Sequence, residues 1–279
     1  MTERARNIGK FGVWRYYAGF EPGQARELEG LGYSTLWLGG SPPAELPAVE
    51  ALLEETENLS VGTSIVNIWS APAAQVAESF HRIDQRFPGR FILGFGAGHP
   101  EQDSDFRKPY DALVEYVDVL DANGVPKQQL ALAALGPRVL KLSADRTAGA
   151  LPYLVTAEHT RRAREILGPD ALLVPEHKIS FSTDPVQARL TARPRTEFYL
   201  NLQNYVANLR RLGFSDEDLT PPGSDRLIDA LALHGTADQI ADALVEHLKA
   251  GADQIAIQVT DDDHIGVLRA LAPALAARV

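Results

Sequence analysis

The sequence predicts a (β/α)8 barrel, and three observations carry that expectation. Short apolar runs rich in β-forming residues alternate with amphipathic stretches rich in Ala, Leu, Glu and Arg. Eight such strand runs follow one another as βαβ units, and eight parallel strands close a barrel. The chain has 279 residues and 45% hydrophobic content, enough for one sizeable core. No linker or solenoid-period repeat divides it, so residues 1–279 are expected to form a single domain. A doubly wound sheet is the other arrangement that alternation allows.

The elements follow in order. The first strand is expected at Lys10–Trp14, with a helix from Pro22 to Gly32. The second strand, Ser34–Leu38, ends at Gly39 and Gly40, and its helix runs from Pro47 to Glu57. The third strand, Leu59–Ile68, precedes a helix at Ala73–Phe87, with Pro72 at a start where its missing N–H costs nothing. The Pro88-Gly89 turn leads to a fourth strand, Arg90–Gly96, then a long loop and a helix at Asp111–Ala122.

The fifth strand is Gln129–Ala134, with a helix at Arg138–Ala144. The sixth is Ala150–Val155, after which Thr156 reads as an N-cap with Glu158 and His159 in the first helical turn. The seventh strand, Leu172–Phe181, is followed by helical stretches at Pro185–Leu212, Arg226–Leu233 and Thr236–Ala250. The eighth strand is Asp253–Val259, and Asp263–Ala277 closes the chain as a helix.

Composition excludes several classes of function. A formal charge of -10 with no basic run argues against nucleic acid. The absence of cysteine rules out disulfides, thiolate metal sites and Cys nucleophiles. Met1–Lys10 lacks the apolar stretch of a signal peptide, and no apolar run could span a bilayer. A cytoplasmic protein, not associated with membranes, is expected. No His-x-x-x-His or Glu-x-x-His pair suggests a metal, and no Gly-x-Ser-x-Gly elbow suggests a serine hydrolase.

Working residues of such barrels lie at the C-terminal ends of the strands. That rule selects Trp14, Arg15 and Tyr16, Gly39 and Gly40, Asn67 and Trp69, Gly98 and His99, Leu135 and Gly136, Thr156 to His159, and Ser182 to Asp184. The set is rich in aromatics and glycines and poor in carboxylates, which suits a planar tricyclic cofactor better than a metal or a sugar phosphate.

Each candidate has a plainer reading. Gly94-Phe95-Gly96-Ala97-Gly98 resembles a dinucleotide fingerprint, but no helix is expected at the glycines to hold pyrophosphate. The glycines then thin a barrel wall, with or without a ring against it. His99 is either a general acid–base group or a loop histidine. His81, His247 and His264 are expected on solvated helix faces. In Glu176-His177-Lys178 alternation points one side chain inward, and Glu176 reads as structural. Arg161, Arg162 and Arg164 read as a solvated face. The helix start at Thr156, with free N–H groups and a hydroxyl, is the better anion site.

Several stretches resemble a known family. Pro88-Gly89-Arg90-Phe91-Ile92-Leu93-Gly94-Phe95-Gly96-Ala97-Gly98 is similar to the Gly-Arg-Phe-x-Leu-Gly-x-Gly-x-Gly segment of luciferase-like flavin and deazaflavin oxidoreductases. Leu36-Trp37-Leu38-Gly39-Gly40-Ser41, Ala133-Ala134-Leu135-Gly136-Pro137-Arg138 and the stretch from Pro152 to Gly168 resemble a subgroup described as coenzyme F-420-dependent. The resemblance runs from about Gly9 to Ala277. It implies a luciferase-like TIM barrel, a bound deazaflavin and a non-proline cis bond at Ser64–Ile65. Sugar-phosphate-oxidising relatives carry acidic or His side chains after strand two and a Glu after strand four. Here Gly39-Gly40 and His99 stand instead, so that activity is not carried over.

The expected function is hydride transfer between coenzyme F-420 and an unidentified small organic substrate. A reduced-FMN-dependent monooxygenase and a flavin-binding protein without turnover are the alternatives. Gly39, Ser64, Ile65, Gly96, Gly98, Ala134, Leu135, Gly136, Tyr153, Thr156 and His159 are expected around the cofactor, with His99, Trp14 and Asn67 facing the substrate. Family members commonly pair through barrel helices, and the Ala-rich helices here allow a homodimer.

Overall fold

The computed structural model describes residues 8–98 and 108–279. Its strands are β1 (Phe11–Tyr16), β2 (Thr35–Gly39), β3 (Ser60–Thr63), β4 (Val66–Asn67), β5 (Phe91–Gly96), β6 (Leu130–Leu132), β7 (Gly149–Ala150), β8 (Leu172–Leu173), β9 (Glu176–Ser180), β10 (Ala232–His234) and β11 (Ile255–Val259). The helices are α1 (Gln24–Gly30), α2 (Pro47–Glu55), α3 (Ala73–Arg86), α4 (Pro109–Ala122), α5 (Pro137–Arg146), α6 (Ala157–Leu167), α7 (Pro185–Glu197), α8 (Gln203–Arg211), α9 (Asp216–Leu219), α10 (Asp225–Leu231), α11 (Ala237–Lys249) and α12 (His264–Ala276).

All the strand pairs are parallel, in the order β10-β9-β11-β1-β2-β3-β5-β6-β7-β8, with β4 on β5. The two ends of that order are one stretch of chain, because β8 runs directly into β9. On one edge of this stretch the N–H groups of Val174 and Glu176 donate to Ala150 and Pro152. On the other edge the carbonyls of Leu173 and Pro175 accept from Asp253 and Ala256. The sheet therefore closes into the expected eight-stranded cylinder. β3 and β4 form one strand of it, and β8 and β9 another, interrupted where Pro175 has no N–H to give.

Alternation along the strands sorts two apolar layers. Alternate residues such as Phe11, Val13, Phe91, Leu93 and Phe95 pack outward against the helices. Trp37, Ile92, Ala131, Val174 and Ala256 fill the inside. Glycines make room there. The fully buried ring of Trp37 lies where Cβ atoms at Gly12 and Gly62 would stand, and the indole of Trp14 covers Gly39. Trp37 donates its indole N–H to Gln254 Oε1 at 2.7 Å, so this large buried ring keeps no unmet donor.

Some boundaries differ from expectation. The sixth strand shrinks to Gly149–Ala150, because Leu154 turns into the left-handed region at φ 57°. The Pro185–Leu212 helix breaks near Phe198–Leu202. The end of the Arg226–Leu233 helix is instead the short strand β10, which pairs with β9. Residues 181–231 form a helical excursion with its own apolar cluster of Leu200, Leu202, Tyr205, Leu209, Phe214 and Leu227. That cluster packs on Leu135, Tyr153 and Leu154, over the ends of strands five and six. No described helix is long and apolar enough to cross a membrane.

Gly94 tests the close packing. A Cβ there would fall inside the van der Waals envelope of the Thr63 carbonyl, which is backbone and cannot step aside. Gly94→Ala is expected to destabilise the fold by about 3 kcal/mol, read as a lower urea midpoint at unchanged slope.

Candidate active site at the barrel mouth

The C-terminal ends of the strands gather most of the residues selected from sequence. The peptide bond between Ser64 and Ile65 is cis, as the resemblance implies. The Ser64 carbonyl accepts the indole N–H of Trp14 at 3.2 Å. Trp14 lies within β1 and not after it, and its ring meets that of Tyr153 with centroids 5.4 Å apart. Because that indole occupies the space above Gly39, Gly39 seats a tryptophan of the chain itself and not a foreign ring. Gly40 is covered in the same way by Tyr16.

One side of the mouth is apolar. Ile65, Ala133 and Leu135 are each partly exposed there. Gly96 lets them close up, since a Cβ on it would stand 2.8 Å from Ala133 Cβ. Ala134 points the other way, into the cluster between α5 and α6, so only its backbone can face the mouth. Asn67 caps the next turn, its Oδ1 accepting from the Trp69 N–H at 3.0 Å. Its amide also lies against Gly98, whose φ of 58° suits glycine. His99 lies outside the described residues.

Two helices begin beside this shelf. α5 starts at Gly136, where no side chain caps the free N–H groups and no atom lies within 4 Å of a Cβ position. α6 starts at Thr156, whose hydroxyl accepts from the His159 N–H at 3.4 Å. His159 is buried and bonded through Nε2 to the Leu135 carbonyl at 3.0 Å, and its Nδ1 has no partner among the described residues. Burial, chiefly, lowers its pKa, so it is a neutral imidazole that ties the two helix starts together.

The other side of the mouth is polar, and sequence reasoning largely missed it. Glu176 and Lys178, two apart on β9, share the inner face and pair at 3.1 Å. Glu176 Oε2 accepts the Leu154 N–H at 2.9 Å, which holds the turn after β7. Lys178 Nζ sits 4.1 Å from the centre of the Tyr153 ring and 5.5 Å from that of Tyr199. The phenol of Tyr199 donates to Tyr153 at 3.2 Å, and Tyr153 donates to Gln258 at 2.9 Å. Burial pushes the Glu176 carboxyl up and the Lys178 ammonium down, each opposed by its partner. Tyr199 is pushed up to about 12 by burial, so it remains a phenol. Alternation within Glu176-His177-Lys178 could have placed both charges inward, but nothing local in the sequence brings Tyr199 to them.

The opposite face of the same strand corrects a second expectation. His247 is not solvated. It is buried, with Nε2 2.9 Å from His177 Nδ1 and Nδ1 2.8 Å from Thr160 Oγ1. Arg164 is likewise structural, bonded to the carbonyls of Gly168, Ala171 and Gly251 and to Asp253. Arg161 and Arg162 do lie on an exposed face, paired with Glu158.

Comparison with known proteins follows from this architecture. Residues 18–124 match the family model described as luciferase-like monooxygenase. That span contains the Pro88–Gly98 segment read above as resembling luciferase-like oxidoreductases. No curated protein sequence matches the chain. Among solved structures, an F-420-dependent secondary alcohol dehydrogenase in complex with an F-420-acetone adduct aligns at a TM-score of 0.75 and 14% identity, covering 95% of this chain and 98% of that one. The coenzyme F-420-dependent tetrahydromethanopterin reductase from Methanopyrus kandleri aligns at 0.72 and 15%, covering 96% and 99%. The oxygenating constituent of 3,6-diketocamphane monooxygenase from Pseudomonas putida, in complex with FMN, aligns at 0.68 and 12%, covering 97% and 99%. These similar folds thus include oxidoreductases that use either cofactor.

The His177–His247 pair makes stability depend on pH. Burial holds His247 down at about 4, and His177 well below its ordinary value. Both stay neutral in the fold, while in the unfolded chain they take up protons near pH 6.5. The unfolded state then binds more protons, so stability falls as pH drops from about 6.5 towards 4, by at most about 1.4 kcal/mol per unit per histidine. Urea midpoints at pH 7, 6 and 5 should fall steadily, and His247→Gln should flatten that slope.

Proposed function

We propose that the chain is a cytoplasmic oxidoreductase, one barrel domain from end to end, that carries coenzyme F-420 at its mouth and exchanges hydride with a small organic substrate. The apolar shelf of Ile65, Gly96 and Ala133 carries this reading, because an uncharged surface on strands three to five suits one face of a planar ring. The donor chemistry beside it also fits. The starts of α5 at Gly136 and α6 at Thr156 present backbone N–H groups and positive helix ends to an anionic tail.

When bound, the deazaflavin would supply a carbon centre that takes or gives hydride. The chain's own residues do the rest. Ser64 and Ile65 support the ring, with Trp14 braced against the Ser64 carbonyl. Leu135, Gly136, Thr156 and the His159 brace position the tail. Asn67 orients the substrate by hydrogen bonding, and His99 holds or delivers its proton. The excursion at 181–231 covers strands five and six and excludes water from that side.

A reduced-FMN-dependent monooxygenase is the second reading, favoured by the FMN-bound structure among the similar folds. Titrating the purified protein separately with coenzyme F-420 and FMN, by fluorescence, decides between them. F-420 is expected to bind at least about tenfold more tightly. Ile65→Asp, which sets a charge under the ring, should weaken binding by a further factor of about ten or more. His99→Ala should lower turnover with the cofactor Kd unchanged. Binding of neither cofactor would overturn the proposal.

A further inference from the structure

We infer that the inner face of β9 forms a subsite for a carboxylate of the substrate, with Lys178 Nζ and Ser180 Oγ as the groups that receive it. This rests on the reading above for its place in catalysis, but not for its existence.

Unmet donors point to a ligand. An ammonium has three N–H groups, and Lys178 gives one of them, to Glu176 Oε1. Its other neighbours are the faces of Tyr153 and Tyr199, which attract a cation but accept no conventional hydrogen bond. Ser180, two residues on and so on the same face, is 1% exposed, and its hydroxyl has no partner among the described residues. The Glu176 carboxylate already accepts from Lys178 and from the Leu154 N–H, and it makes no hydrogen bond to Ser180. Buried donors normally find acceptors. An oxygen arriving on this face could accept from both Lys178 and Ser180.

The location gives that oxygen a source. In a ring of eight strands, the seventh stands opposite the third. A molecule resting against the Ile65 shelf on strand three thus faces Lys178 across the cylinder. Part of the cover over Lys178 is Tyr199, which belongs to the excursion and not to the barrel wall, so this phenol can withdraw without opening the sheet. A buried ion pair serving stability alone is a poor device, since apolar residues of the same volume often do as well or better.

Charge balance needs one proton. A carboxylate entering beside Lys178 sets two negative groups against its one ammonium, with the exposed Arg195 guanidinium of α7 a further positive charge acting on Lys178, and a proton from solvent settles on the Glu176 carboxyl. The groups facing Glu176 are Lys178 on β9, Tyr153 from the turn after β7, and Tyr199 and Tyr205 from the excursion. The tyrosines ionise too high to compete. Binding is therefore tighter at lower pH.

The test uses the full chain without cofactor and acetate as the probe. Of the lysines, Lys178 is the only buried one among the described residues. Its 15N-labelled ammonium should give a sharp resonance, assigned by its absence from the Glu176→Gln/Lys178→Met double variant, which leaves no unpaired charge. Sodium acetate should shift that resonance saturably, more tightly at pH 5.5 than at 7.5, while sodium chloride at equal ionic strength should not. Ser180→Ala should weaken acetate about fivefold. No saturable shift, the same shift with chloride, or an unchanged affinity in Ser180→Ala would overturn the inference and leave water as the acceptor. Because cofactor binding is measured separately, either proposal can fail while the other stands.

Discussion

The edge hydrogen bonds of the stretch Leu172–Ser180 decide the shape of the molecule. Its first half is bonded to β7 and its whole length to the region of β11, so one strand turns an open sheet into a cylinder. A cylinder has an inside, and that fixes the alternation of every strand at once. Along this strand Glu176, Lys178 and Ser180 must face the lumen while His177 and Ile179 face the helices. A shift of one residue would bury the His177 imidazole among the tyrosines and press the ion pair into the helix layer. Register here is thus held by chemistry on both faces, not by backbone bonds alone.

The lumen is filled in an uneven way. Glycines at 12, 39 and 62 on the first three strands leave space that Trp37 and Trp14 take up. Two large rings on one side of a narrow barrel need small neighbours, and close packing permits nothing larger than hydrogen at those sites. The glycines that suggested room for a foreign ring are therefore partly spent on the protein's own indoles. The partly exposed apolar side chains lie instead on strands three to five, at Ile65, Ala133 and Leu135.

Periodicity made the architecture legible. All eight strand runs lie where alternation and turn residues put them, because a parallel barrel strand is buried on both faces and reads as a dense apolar run. The cis bond came from resemblance, since no local propensity announces it. What could not be read is what depends on distant chain segments. His247 sits on a helix whose polarity suggests a solvated face, and it is buried only because His177 and Thr160 meet it from two other elements. Arg164 looked like its neighbours Arg161 and Arg162, yet it binds three carbonyls in two separate turns, at Gly168 and Ala171 and at Gly251. Tyr199 reaches Lys178 from an excursion whose packing follows from the leucines within it, not from any motif.

These distant contacts give the mouth two unlike banks. Strands three to five offer uncharged side chains and the uncapped start of α5 at Gly136. Strands six to eight offer an ion pair, phenols and an amide, all at low local dielectric. A ring could not be exchanged for a polar ligand across that divide without leaving buried donors unmet, at a cost of about 1–3 kcal/mol each. On the proposed reading, that asymmetry would orient a bound molecule, with its apolar part against Ile65 and its oxygens towards β9. The barrel need only keep its two halves chemically different for that orientation to follow.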